Sequence, residues 1–183
     1  MRILGATGNG YGAKVNVENQ LHTSSITFDI AHHVNHDHGE CYTMLISKTP
    51  TAAADCFAYI KNTSDDDLIV CCVKFAATTT DEIIQVKLGD IGTPVGGTAV
   101  TPGNRNAGSG EVADGTFEEG VDITGLSGGT AIDEYNIDAG TGSKIIPVTG
   151  GFIVPKNKVL SLYAVTGGIA IRGGITFYYH SSY

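Results

Sequence analysis

Four histidines lie within seven residues of this chain, and their types and spacing are the strongest hint of chemistry in it. They are His32, His33, His36 and His38, with Asp37, Glu40 and Cys41 nearby. His32 and His36 have the spacing of the two zinc ligands on a metalloprotease helix. In that motif a catalytic glutamate follows the first histidine, but His33 occupies the position here. No amphipathic helix pattern surrounds the pair, so the sequence argues against a zinc protease.

His36 and His38 suggest a different metal site. Residues i and i+2 of a strand point to the same face of a sheet. Three copies of the pair around a threefold axis would then surround one metal ion octahedrally, and imidazole suits transition metals. We therefore predict His36 and His38 as metal ligands at such an axis only, and no other cofactor. Two interpretations stay open beside it: a solvated polar loop or strand edge, and a pH-sensitive interface.

Two further segments imitate ligand-binding motifs. The glycine-rich segment Ile3–Gly12 resembles a dinucleotide-binding turn, but that site needs a preceding strand and a following helix. The residues after it, Lys14–Glu18, alternate like a strand instead. Asp65–Asp67 lacks the alternating ligands and the distal glutamate of a calcium loop. No spacing supports a Ser–His–Asp or Cys–His arrangement either, and we expect a protein that is not an enzyme.

The charge of the chain limits the classes of partner it can bind, and its cysteines indicate their own chemical state. The chain has 11 Lys and Arg against 19 Asp and Glu, a formal net charge of −8. Its basic residues are dispersed, whereas nucleic-acid binding needs a basic stripe, so no nucleic-acid partner is expected. No apolar run approaches a membrane span, and Met1–Gly5 is not followed by the apolar core of a signal peptide. We expect no membrane partner. The cysteines lie in apolar runs and are predicted to be free, buried thiols: Cys41, Cys56, Cys71 and Cys72.

The elements that must position these residues are predicted to be short strands. Glycine contributes 25 of the 183 residues and charged residues only 16%, against about 25% in an average soluble domain. Apolar residues alternate with period two, and no helical stripe exceeds two turns. The strand candidates are Ala13–Glu18, Ser25–Ile30, Tyr42–Ile46, Ala54–Lys61, Leu68–Ala76, Ile83–Leu88, Ala131–Ile137, Lys144–Val148, Phe152–Val154, Val159–Val165 and Ile169–Tyr179.

These candidates predict an all-β protein with one domain. Residues 1–12 form a glycine-rich N-terminal arm, and residues 13–183 form a single β-sandwich of jelly-roll type. The polar segment Asn62–Asp67 between two apolar runs predicts a hairpin. From Gly89 to Gly129 the chain is rich in Gly, Pro, Thr, Asn and Asp, which predicts a long excursion that a partner would order.

Several segments spread over nearly the whole chain resemble small virion structural proteins of tailed bacteriophages. They are Gly8–Gly10 with Ala13–Val15, Ala31–His33, Phe57–Asn62, Val86–Pro94, Thr101–Gly110, Asp122–Gly129, Ile153–Asn157 and Leu162–Thr166. The resemblance implies a phage particle protein, of the capsid decoration type or the head- or tail-appendage type. It carries over no active-site residue. It also implies a place in the virion, after assembly in the host cytoplasm.

We accordingly expect a homotrimer that binds the capsid or other virion proteins through its arm and loops. In the arm, Ile3 and Leu4 are the predicted apolar anchors, and Gly8, Gly10 and Tyr11 complete the predicted partner-binding set. The alternative is a receptor- or glycan-binding module of a tail or fibre appendage. The absence of Trp and the low aromatic content of 8% count against glycan binding, which usually relies on exposed aromatic platforms.

Overall fold

The computed structural model describes residues 30–140 and 142–180. Most of them lie in strands arranged in antiparallel sheets, with one short α-helix, which confirms the predicted all-β class. The arm Met1–Gly12 and the predicted strand Ala13–Glu18 lie outside the described residues. So does the predicted strand Ser25–Ile30, except for its last residue, Ile30, which begins a helix instead.

A short helical segment precedes the strands in the described part of the chain. It consists of helix α1 (Ile30–His33) and a π-helical turn (Val34–His38). The strands are β1 (Cys41–Lys48), β2 (Asp55–Asn62), β3 (Asp67–Ala77), β4 (Glu82–Leu88), β5 (Ile91–Val95), β6 (Thr98–Ala99), β7 (Gly103–Asn104), β8 (Gly115–Glu119), β9 (Thr124–Ser127), β10 (Thr130–Ile137), β11 (Lys144–Val154), β12 (Val159–Ala164) and β13 (Ile171–His180).

The strands form two large antiparallel sheets and one ribbon. The five-stranded sheet has the order β11-β3-β13-β1-β7, and the six-stranded sheet has the order β10-β4-β12-β2-β8-β6. Strands β5 and β9 pair with each other as the ribbon. Among the long strands, β1 pairs with β13, β2 with β12, β3 with β11 and β4 with β10. These four pairs are nested in the sequence, because each pair encloses the next.

One apolar core lies between the two large sheets. It takes buried residues from β1, β3, β11 and β13 of one sheet and from β2, β4, β8, β10 and β12 of the other. Aromatic rings join the sheets across it. Phe117 of β8 stacks on Phe177 of β13 at 5.2 Å between ring centroids, and Phe57 of β2 meets Phe75 of β3 edge-on at 6.0 Å. Such pairs add to the stabilisation that burial of their area provides.

All four cysteines are free as predicted, but a bulge in β3 leaves Cys71 and Cys72 only half-buried rather than buried. Strict alternation would send Cys71 and Cys72 to opposite faces of the strand. The register of β3 against β13 shifts at this point, so that core residues Val70 and Val73 are separated by two residues rather than one. Cys71 and Cys72 therefore both stay out of the core and are half-buried.

The segment Asn62–Asp67 connects the two sheets, so the predicted hairpin is wrong. Strand β2 belongs to the six-stranded sheet and β3 to the five-stranded sheet. The turn chemistry is nevertheless present. The buried Asn62 amide donates to the backbone oxygens of Asp66 and Val154, both at 2.8 Å, and accepts from the Ser64 N–H. The local sequence predicts such a turn but does not distinguish a hairpin from an arch between sheets.

The region Gly89–Gly129 contains five short strands, so the prediction of an excursion without structure of its own is wrong. Strand β7 pairs with β1 and extends the five-stranded sheet. Strands β8 and β6 extend the six-stranded sheet beyond β2. The excursion thus covers one side edge of both sheets. Strands β10 and β11 are the outermost strands at the opposite edge.

Two glycines allow the β5–β9 ribbon to form. Gly92 and Gly125 both have positive φ, +118° and +80°. A Cβ on Gly92 would lie 2.0 Å from the Gly125 carbonyl oxygen, and a Cβ on Gly125 would lie 2.4 Å from the Thr93 carbonyl oxygen. Since real Cβ atoms do not approach so closely, the two backbones meet only because both positions lack a side chain.

Candidate functional site

The predicted partner-binding residues of the arm are Ile3, Leu4, Gly8, Gly10 and Tyr11, and they lie outside the described residues. Their role therefore stays a prediction. The other features chosen from the sequence, the histidine segment and the excursion, lie within the described ranges. The structure brings these two together at one end of the five-stranded sheet.

His36 and His38 lie on the π-helical turn, so the premise that they share one face of a strand is wrong. His36 stacks on His32 with 6.2 Å between ring centroids, whereas His38 meets His33 edge-on at 5.4 Å. The turn ends at Gly39, whose φ of +70° lets its N–H donate to the Val34 carbonyl oxygen at 2.9 Å. Each predicted ligand thus contacts a different partner histidine.

Asp37 is the carboxylate at the centre of this group. Its Oδ2 lies 2.7 Å from His33 Nδ1, and its Oδ1 lies 2.5 Å from His36 Nδ1. The hydrogen bond with His36, aided by the neighbouring histidine charges, lowers the pKa of Asp37 below its usual range. Among the described residues of one chain, no three His, Cys, Asp or Glu side chains are placed to hold a metal ion. A site shared by three chains stays a prediction.

The excursion packs against the histidine turn through asparagines. The Asn106 amide donates to the Asn35 carbonyl oxygen at 2.8 Å, and the Asn104 amide donates to the Gly39 carbonyl oxygen at 2.7 Å. Ser109 lies so close that a Cβ on Gly39 would be 2.2 Å from its Cβ. The turn and the excursion therefore form one joint surface, and this contact depends on a glycine at position 39.

A buried carboxylate that sequence reasoning missed, Asp90, holds the two ends of the excursion together. Asp90 Oδ1 accepts from the Gly129 N–H at 2.8 Å, and its Oδ2 accepts from the hydroxyls of Tyr163, at 2.9 Å, and Ser161. Asp90 and Ser161 are only 5% and 0% exposed. Burial, together with the neighbouring Cys56 thiol and Asp90, raises the pKa of Tyr163, which keeps its hydroxyl protonated.

The Asp90 group is suited to holding the fold rather than to catalysis. Ser161 beside a carboxylate could suggest an activated nucleophile, but a nucleophile must be reachable by substrate, and this hydroxyl is fully buried. The group joins the two ends of the excursion to β12, at Gly129 and at Asp90 itself. A serine inside the apolar run Val159–Tyr163 was the only sequence signal for it.

Three basic residues also come together on the outer face of the five-stranded sheet. Lys74 lies in β3, Arg105 directly follows β7, and Arg172 lies in β13. All three are exposed. None of them forms an ion pair with a carboxylate among the described residues. No sequence pattern indicated this surface, because its members are far apart along the chain.

No family model matches this chain, and neither a curated protein nor a solved structure does. In the described residues, no helix is long and apolar enough to cross a membrane. Strand pairing and side-chain contacts are therefore the observations from which a function can be inferred.

Proposed function

We propose that this protein is a structural component of a phage virion, built on a jelly roll, that decorates or stabilises the capsid. The observation that supports a jelly roll is the nested pairing of the long strands, β1 with β13, β2 with β12, β3 with β11 and β4 with β10. A long antiparallel ribbon that wraps into two facing sheets produces this nesting, and it is the pattern of a jelly roll. Viral capsid proteins, lectins and cupins use this fold.

Fold alone does not decide function, and two further observations support a structural role. The buried carboxylates Asp90 and Glu82 accept hydrogen bonds from their own chain: Asp90 holds the excursion, and Glu82 accepts from the N–H groups of Ile83, Thr166 and Gly167 at 2.8–3.0 Å. The virion part of the proposal rests on the sequence segments, spread over nearly the whole chain, that resemble virion structural proteins of tailed phages. Capsid contact through the N-terminal arm and loops, a homotrimer, and location in the virion after assembly in the host cytoplasm belong to the same proposal.

Quantitative mass spectrometry of purified phage particles, combined with a particle map at modest resolution, tests the proposal. We expect a constant copy number per particle and density for the domain on the shell. Absence of the protein from intact particles would overturn the proposal. For the arm, Ile3→Ser with Leu4→Ser should weaken binding to particles that lack the protein, whereas Thr7→Ser in the same arm should not. Equal binding by both variants would remove the arm as the anchor.

A receptor- or glycan-binding module of a tail or fibre appendage is the alternative, because lectins share the jelly roll. The described aromatic side chains count against glycan binding. Tyr42, Tyr59, Tyr178 and Tyr179 are all buried and provide no exposed platform. A glycan array separates the two functions: reproducible sugar-specific binding supports the module, and binding to phage shells alone supports the structural protein.

A further inference from the structure

The two large sheets differ in charge. Among residues whose side chains the structure describes, the strands of the five-stranded sheet contain one acidic residue, Asp67, and these basic residues: Lys48, Lys74 and Arg172. The strands of the six-stranded sheet contain two basic residues, Lys61 and Lys87, and these acidic residues: Asp55, Glu82, Glu118, Glu119, Asp133 and Glu134. Of these residues, Glu82 is fully buried and Lys48 is paired with Glu119 of the other sheet. The exposed charges on the two sheets still differ in sign, because Lys74 and Arg172 are exposed on one, and Asp133 and Glu134 on the other.

The outer face of the five-stranded sheet, with Lys74, Arg105 and Arg172, is the basic face of the domain. This basic face also has exposed apolar residues. One row of paired residues runs across the sheet from Ile145 through Lys74 and Gly174 to Leu45. Leu45 and Ile145 are 69% and 63% exposed. Gly174 has no side chain, and a shallow groove of about 390 Å³ lies over this part of the sheet, with Lys74 and Arg105 in its walls. Exposed apolar residues rimmed by polar groups mark surfaces that contact another protein.

The edge of the six-stranded sheet offers a complementary surface. Strand β10 is the outermost strand of that sheet, and from Thr130 to Glu134 each of its residues is exposed. It presents Ile132, which is 42% exposed, next to the carboxylates of Asp133 and Glu134. An exposed edge strand of this length invites contact with another chain unless a partner or charge protects it. The β10 edge therefore matches the basic face in having an exposed apolar residue and complements it in having acidic rather than basic charges.

We propose that the occupant of the basic face is a second copy of this chain, which contributes its β10 edge. Ile132 then contacts the apolar residues Leu45 and Ile145, while Asp133 and Glu134 lie close to the cations. Such a contact joins two different surfaces and is head-to-tail. Head-to-tail contacts build closed rings when the rotation between copies closes, and open filaments when it does not. The interface holds whether or not the protein belongs to a virion.

Charge reversal in pure protein tests this interface. One variant reverses the basic face (Lys74→Glu with Arg172→Glu), and another reverses the edge (Asp133→Lys with Glu134→Lys). A third combines all four changes and restores complementarity with the signs exchanged. The matched control, Lys61→Glu with Lys158→Glu, alters net charge by the same amount as the basic-face variant, away from the proposed contact. Circular dichroism melts establish that each variant is folded before its association is measured.

Sedimentation velocity over a concentration series gives the association constant at about 0.05 M and about 0.5 M salt, where the Debye length falls from roughly 14 Å to roughly 4 Å. We expect wild type and control to associate, and association to weaken with salt. Each double reversal should raise the dissociation constant at least about tenfold, since like charges then face each other. The fourfold variant should recover most of that loss. A wild-type protein that stays monomeric, or a control that loses as much as the reversals, would overturn the interface.

Discussion

Replacing Asp90 by alanine should cause one of the largest losses of stability available to a single substitution in this protein. Its carboxylate accepts hydrogen bonds from the Gly129 N–H, the Tyr163 hydroxyl and the Ser161 hydroxyl. Asp90 and Ser161 are almost completely buried, so water does not replace the lost acceptor at Ser161. The substitution therefore leaves polar donors without a partner inside the protein.

The magnitude follows from those donors. An unsatisfied buried donor costs about 1–3 kcal/mol, and Gly129 and Tyr163 are only half-buried, so Asp90→Ala should lower the free energy of unfolding by about 2–4 kcal/mol. Asp90→Asn keeps the shape but turns an amide N–H₂ toward donors, and should cost about 1–3 kcal/mol. A domain of this kind has a total stability of about 5–15 kcal/mol, so either loss is readily measured.

Urea unfolding followed by circular dichroism and tyrosine fluorescence gives these values, and the chain has no Trp to complicate the signal. Asp122→Ala, an exposed position in the same excursion, is the matched control and should change stability by less than about 0.5 kcal/mol. A double-mutant cycle with Ser161→Ala should show coupling of about 1–3 kcal/mol. If Asp90→Ala proves no more costly than Asp122→Ala, the assignment of Asp90 as the fastening of the excursion is refuted.

Hydrogen exchange tests whether the effect of Asp90→Ala is confined to the excursion. Because Asp90 and Gly129 flank the excursion, loss of their contact should speed amide exchange first in β5 and β9, before the core strands respond. Uniformly faster exchange across both large sheets would contradict a local role.

Three other predictions concern distinct parts of the molecule. Gly167→Ala should lower the free energy of unfolding by about 2–4 kcal/mol, since φ is +74° and the new Cβ would lie 2.1 Å from the Ala52 carbonyl oxygen. Gly168→Ala, where φ is +70° but the space is open, should lower it by only about 1–2 kcal/mol, and thermal or urea unfolding measures both. Burial raises the pKa of the Cys56 thiol from 9.0 to about 12, so its contribution to stability is full below pH 9 and is lost as the pH rises toward 12. Urea unfolding at a series of pH values should therefore show that the free energy of unfolding of Cys56→Ala falls less steeply above pH 9 than that of the wild type. If His36 and His38 meet at a threefold axis, elemental analysis should find about one transition-metal ion per three chains; a metal-free protein that chelators do not destabilise would remove the site.

The amino-acid sequence was sufficient for elements whose signal is local. The period-two pattern of Val159–Val165 and the apolar run Leu68–Ala76 predicted strands that the structure has as Val159–Ala164 and Asp67–Ala77. Much of β3 buries every second side chain, whereas β12 is buried on both faces, and both kinds of strand can be recognised from local sequence. The turn chemistry of Asn62 was equally readable, since its hydrogen-bond partners include nearby residues.

Only the tertiary structure decided how those elements combine. Strand β7 is two residues long and is a strand because β1 pairs with it, which no pattern within Gly103–Asn104 could announce. The histidine turn likewise had no periodicity, so its helical form, and the contact of His36 and His38 with different histidines, could not be predicted. Lys74 and Arg172 are almost a hundred positions apart and share a face only because β3 pairs with β13. Sequence periodicity indicates which side of a strand is buried. Which strands lie next to each other depends on contacts between residues that are far apart in the sequence, and every surface proposed for this protein depends on those contacts.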